Sequence, residues 1–131
     1  MISDRVGDFI IRLQNAVAIG KREVIMPYSA HLASIADKLR ELGFLENVKK
    51  GTEEVKRTLT VTLAYNERGE AKLRGVKRIS KPGRRLYVSH TDANRVKGGT
   101  GARIISSSAG VITDREARSG RLGGENLFEI W

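Results

Sequence analysis

Residues 104–118 read IISSSAGVITDREAR. The fold of the second half of the chain turns on this stretch. Two isoleucines close the segment ARIIS, whose composition predicts a strand. The residues SSAG that follow predict a turn, and VIT predicts a second strand. Thr113 then opens TDRE, a capping box in which the threonine hydroxyl accepts from the Glu116 backbone and the glutamate reaches back. A strand, a turn, a strand and a brief helix stopped by Gly120 make this region mostly β. The three serines in the turn raise the functional question: they are a nucleophile, an RNA contact or turn filler.

Working outward, GENLFEIW predicts a final strand. Simple alternation sets Asn126, Phe128 and Ile130 on one face and Leu127, Glu129 and Trp131 on the other. Upstream, Pro82-Gly83 marks a turn, RLYVS a strand, and HTDANRVKGGTG, polar and glycine-rich, at most one helical turn and then a loop. Residues 1–79 read differently. Val6, Phe9, Ile10, Leu13 and Val17 recur at steps of three and four, one apolar stripe of a helix with Ser3 as cap and Gly20 as stop. REVIMP predicts a strand, and a second helix follows the N-cap Ser29 to bury Leu32, Ile35, Ala36, Leu39 and Leu42, ending at Gly43. FLENVKKG is a short strand. RTLTVTLAY alternates Leu59, Val61, Leu63 and Tyr65 against Thr58, Thr60, Thr62 and Ala64, and AKLRGVKRIS is an irregular strand. The fold class is therefore α+β in two small lobes: an N-terminal α-β-α-β-β-β lobe over 1–79 and a mostly β C-terminal lobe with short helices over 80–131.

Charge narrows the partners. Among 131 residues, 24 Lys and Arg face 15 acids, a net charge of +9 that attracts polyanions. The excess is +2 over residues 1–65 and +7 over 66–131, which weights polyanion binding toward the second half of the chain. Lys72, Arg74, Lys77, Arg78, Lys81, Arg84 and Arg85 crowd together around the lobe boundary, and Arg103, Arg115, Arg118 and Arg121 of the second lobe lie close to the serine turn. Both helices carry acids on their polar faces, Asp4, Asp8, Asp37 and Glu41, which disfavours an anionic bilayer. No apolar run approaches a membrane span, and MISDRVGDF has no signal-peptide core. The absence of cysteine removes disulfides, thiolate metal sites and a thiol nucleophile.

Catalysis finds little support. Ser106, Ser107 and Ser108 need a base, yet nothing in the sequence sets His31 or His90 beside them, and G-x-S-x-G and Ser-x-x-Lys patterns are missing. A small serine hydrolase is the rival reading. KGGTGAR and GRLGG lack the Gly-Lys-Ser/Thr ending of a phosphate loop and the spacing of a dinucleotide fingerprint, and scattered His and acids give no metal-ligand spacing. No cofactor and no metal are expected. Basic side chains would hold phosphates, with affinity falling as salt rises, whereas specificity needs short hydrogen-bonding groups held at base edges or ribose hydroxyls. The serine turn offers such groups, and residue chemistry leaves RNA contact and self-satisfied turn evenly balanced.

Several motifs shift that balance. SSSAGVITDREA resembles the serine/threonine turn and Gly-Val-hydrophobic-Thr-Asp-Arg of the family of the eighth small-subunit ribosomal protein of bacteria. ISKPGRRLY is similar to its Arg-Val/Ile-Ser-x-Pro-Gly-x-Arg-x-Tyr segment, and GRLGGENLFEIW to its Gly-Leu-Gly-Gly-Glu tail. DFIIRLQNA and VIMPYSAHLASIADKLRELGFL resemble its first helix, strand and second helix, so the resemblance spans the chain in order. It implies a non-catalytic RNA-binding protein of the small subunit, cytoplasmic and in the ribosome. Such a protein binds the central domain of small-subunit rRNA early in assembly and in some bacteria represses translation of its own operon mRNA. The implied protein neighbours are the fifth and twelfth of the small subunit. The family's contacts carry over to Tyr87, Ser106, Ser107, Ser108, Gly124 and Glu125, with Asn15 and Ser29 in the first lobe, and Arg84 and Arg85 are the accompanying cations. Ala30 and Ala109 stand where the family usually has a basic residue. A fluorophosphonate probe checks the rival reading: no serine should label, and labelling at Ser106, Ser107 or Ser108 would restore the hydrolase.

Overall fold

The computed structural model describes residues 4–51 and 57–131. The chain is α+β, and its residues fall into two compact units, one over 8–73 and one over 4–7 with 74–131. Ser3, the expected first cap, lies outside the described residues. Asp4 takes that role, its Oδ1 accepting from the Gly7 N–H at 3.1 Å.

In the 8–73 unit, helix α1 (Arg5–Ala18, whose first turn belongs to the other unit) buries Phe9, Ile10, Leu13 and Ala16. Strand β1 (Glu23–Pro27) leads to α2 (Ala30–Glu41), then β2 (Leu45–Lys50) and β3 (Thr58–Leu63). The three strands form an antiparallel sheet in the order β1-β3-β2. Leu59, Val61 and Leu63 are buried and the intervening threonines are half-buried, the period-two pattern of a strand with one face on a core. Helix α2 buries Leu32, Ala33, Ile35, Ala36 and Leu39. Leu42, expected on the same stripe, is instead exposed, because the helix ends there and the chain turns through Gly43 at φ +91°.

The other unit holds β4 (Val76–Arg78), β5 (Tyr87–Val88), β6 (Ala102–Ser107), β7 (Gly110–Thr113), α3 (Asp114–Gly120) and β8 (Gly124–Ile130). Its antiparallel sheet runs β4-β8-β6-β7, with β5 also paired to β8. Residues 76–78, which the sequence groups with the first lobe, pair here with β8, Val76 opposite Ile130 and Arg78 opposite Phe128. A three-residue strand of mixed face carries too little pattern to declare a partner fifty residues away, and the sequence boundary at 79/80 falls inside this unit.

Alternation in β8 is also interrupted. Ile104 faces Phe128 while the next residue, Ile105, faces Asn126, so Leu127 is an extra residue in β8. Consecutive residues of β6 point to opposite faces, and Asn126 therefore does not share the face of Phe128, contrary to simple alternation. Ile105 and Ile112 pack with Ala93 and Ala117 in a small core edged by Val88 and Leu122.

Helix α3 starts as its sequence specifies. Thr113 Oγ1 accepts from the Glu116 N–H at 3.2 Å, and the Thr113 N–H donates to Glu116 Oε1 at 3.2 Å. It ends with Arg121 in the left-handed region at φ 53°. Replacing Thr113 with Ala should lower stability by about 1 kcal/mol in a urea titration, and Thr113→Ser, which keeps the capping hydroxyl, should avoid most of that loss.

Candidate nucleic-acid interface

Strand pairing assembles one row of side chains across four strands. Tyr87 of β5 lies opposite Glu125 of β8, Glu125 opposite Ser106 of β6, and Ser106 opposite Val111 of β7. Directly paired residues share a face, so these four point the same way. The face is opposite to the one on which Ile105 and Ile112 are buried. Tyr87 is 74% exposed, while Glu125, Ser106 and Val111 are half-buried. An open aromatic ring beside a hydroxyl and a carboxylate offers a stacking surface and hydrogen-bonding groups together.

The three serines have separate situations. Ser106 belongs to the row. Ser107 braces the turn: its hydroxyl donates to the Gly110 carbonyl at 2.8 Å and accepts from the Ala109 N–H at 3.2 Å. Both partners are backbone groups, as in a self-bonded serine turn. Ser108 is exposed at the tip, and Gly110 at φ +108° closes the turn in a conformation that favours glycine. Gly124 permits the approach of β8 to this turn, since a Cβ there would strike the Ser106 carbonyl and lie 3.0 Å from Ser107 Cα. Its neighbour Gly123 is as constrained, a Cβ meeting the Val88 carbonyl at 2.8 Å. The Gly-Gly pair thus lets β8 pass closely between β5 and β6.

Behind the row is a polar network that sequence reading missed. Ser80 is 3% exposed, and its hydroxyl donates to Glu125 Oε2 at 2.5 Å and accepts from the Leu86 N–H at 3.2 Å. Arg85 donates to the same carboxylate oxygen at 2.9 Å, and this bond to Glu125 pushes the guanidinium pKa further up. Arg78 donates through Nε to the Ser80 carbonyl at 2.9 Å and grips the Asp4 carboxylate with both terminal nitrogens, one at 2.6 Å. Nothing in a periodic pattern marks Ser80, which precedes a Pro-Gly turn and looks like part of it.

The arginines sort by partner. Arg103 pairs with Glu129 and donates to the Asn94 carbonyl at 2.8 Å, and Arg118 donates to Ala93 and to buried Asp114 at 2.6 and 2.7 Å. Both hold the fold together and are not free cations beside the turn. Arg115, Arg121, Lys81 and Arg84 are exposed, with no acidic partner among the described residues. Lys81 and Arg84 bond to each other through their backbones at 3.0 Å in both directions, so Pro82-Gly83 is the tip of a tight hairpin that presents them. Asn15, exposed on α1, and Ser29, half-buried before α2, belong to the 8–73 unit. Ser29 is the N-cap of α2, yet its hydroxyl makes no capping bond. Ala30 and Ala109 are exposed.

Comparison with known proteins decides the family. Residues 4–131 match the family model for ribosomal protein S8. The chain belongs to the ribosomal protein S8 family. It is 41% identical over 130 residues to the small ribosomal subunit protein uS8 of Rhodococcus erythropolis, covering 99% of this chain and 98% of the relative. The protein of the same name from Nocardioides is 41% identical over 133 residues with the same coverage, and that from Crocosphaera subtropica is 40% identical over 130, covering 98% of each chain. S8 proteins are RNA-binding components of the translation machinery and not enzymes. No helix among the described residues is long and apolar enough to cross a membrane.

The Asp4–Arg78 pair gives this S8 unit a pH signature. The hydrogen bond from Arg78, reinforced by the Gly7 N–H against the opposing effect of burial, holds the Asp4 carboxyl below its ordinary pKa. Its contribution to stability is full above the unfolded value of about 3.9 and is lost as pH falls through the lower folded value. Asp4→Asn should therefore lower the melting temperature at neutral pH, and the gap from wild type should close as pH drops below about 4. A gap independent of pH would contradict the ionic origin.

Proposed function

We propose that this chain binds the central domain of small-subunit rRNA through the row Tyr87–Glu125–Ser106 and the adjoining serine turn. The observation that carries the reading is this solvent-facing row, with a 74%-exposed tyrosine at its edge, in a unit that also presents exposed cations without acidic partners among the described residues. Tyr87 stacks on a base or ribose. Ser106, Ser108 and the outer side of the Ser107 turn hydrogen-bond RNA that approaches along Gly124. Arg84 meets phosphates. Asn15 and the Ser29 hydroxyl, which makes no capping bond, supply a second, smaller set of contacts from the other unit.

Such recognition is of shape, because a row of small groups fits an irregular RNA helix better than it reads a base sequence. Early binding in subunit assembly, contact with the fifth and twelfth small-subunit proteins, and repression of the chain's own operon mRNA extend the reading, and family resemblance supports them. An operon mRNA folded like the rRNA site would occupy the same row.

Two substitutions separate the contributions. Tyr87→Ala should weaken binding to a central-domain rRNA fragment by about 1–3 kcal/mol, the worth of one stacked base, while leaving a random duplex almost unaffected. Equal loss on both RNAs would contradict specific stacking. Arg84→Ala should weaken both RNAs and reduce the slope of log K against log salt by about 1. An unchanged slope would remove Arg84 from the phosphate contacts.

A further inference from the structure

Two segments forty-five positions apart meet at the Glu125 carboxylate, which receives Ser80 and Arg85 on the same oxygen. An acid is an awkward group to display to RNA, since an unpaired carboxylate repels phosphates and a long side chain wanders among rotamers. Here neither happens. Arg85 lies against the charge, and Ser80 fixes its position from a site with almost no solvent access. Ser80 is itself held on two sides, by the Leu86 N–H at its hydroxyl and by Arg78 at its carbonyl, with Arg78 anchored on Asp4. Charges alternate along this chain of contacts: Asp4, Arg78, then Glu125, Arg85.

We propose that Ser80 and Arg85 are positioning residues for RNA recognition, which hold the Glu125 carboxylate in line with Tyr87 and Ser106 and cancel its charge. The inference rests on the RNA-binding reading of that row. Arg85 acts on RNA through Glu125, and Arg84, which has no acid among the described residues, remains the phosphate contact. Stability alone does not account for the Arg85 pair. With half of the arginine side chain exposed, such a pair contributes little to folding. Preorganisation of a recognition group gives it a purpose. ISKPGRRLY and the Gly-Gly-Glu segment are thereby one device: the first supplies the serine, arginine and tyrosine, and the second supplies the carboxylate between them.

Double-mutant cycles on the full chain test this, with a central-domain rRNA fragment as probe and a random duplex as control. Ser80→Ala should weaken the fragment roughly five- to tenfold, the scale of a typical single hydrogen bond, with the salt slope and duplex binding unchanged. In a Glu125→Ala background the same substitution should cost less than about twofold, since there is no carboxylate left to hold. Arg85→Ala should show the same dependence on Glu125, and this arm decides the matter if the Ser80 variant fails to fold, because Arg85 is at the surface. Costs that persist in full without Glu125 would overturn the proposal while leaving the RNA reading intact. A wild-type chain that does not prefer the fragment over the duplex would overturn both.

Discussion

The extra residue in β8 sets which face carries Tyr87, Glu125 and Ser106 together. Without Leu127 as an insertion, pairing continued from Ile104–Phe128 would put Ser106 opposite Asn126 and Ser107 opposite Glu125. A shift of one residue exchanges the two faces of a strand. The bulge brings Glu125 level with Ser106 and, through β5, with Tyr87. It also leaves Asn126 buried, its Oδ1 without a hydrogen-bond partner among the described residues. A local rule is broken beside the row proposed to bind RNA, where such departures are expected.

Close backbone approach is the second requirement, and glycine meets it. Gly123 and Gly124 face the backbones of β5 and β6 at distances that leave no room for a Cβ. The Gly-Gly-Glu segment therefore does two things at once: the glycines let the strand in, and the glutamate enters the row. The turn on the neighbouring strand is made rigid by its own serine, so the hydroxyls that flank it are presented from a fixed backbone.

Net charge overstates how many cations are free for RNA. Arg78, Arg103 and Arg118 are occupied by acids and carbonyls of the same unit, and Arg85 by Glu125. A count of basic residues locates the basic half of the molecule, and only the partner of each guanidinium tells which ones are left open to a phosphate. The Ser80 network was invisible for a related reason. Its members lie at positions 4, 78, 80, 85 and 125, and no local spacing relates them.

Strong local signals were legible in the sequence alone. The stripe Phe9, Ile10, Leu13 fixes α1, the alternation of leucine and valine with threonine fixes β3, and the Thr113–Glu116 box fixes the start of α3. Each depends on residues within one or two turns or one strand, where backbone geometry ties position to direction. The motifs of the serine turn, the Pro-Gly hairpin and the Gly-Gly-Glu segment were also visible. What they do together was not. The partner of β4, the exposure of Leu42, the register of β8 and the companion of each arginine were decided by tertiary structure, because each depends on which distant backbone lies alongside and which charge it brings.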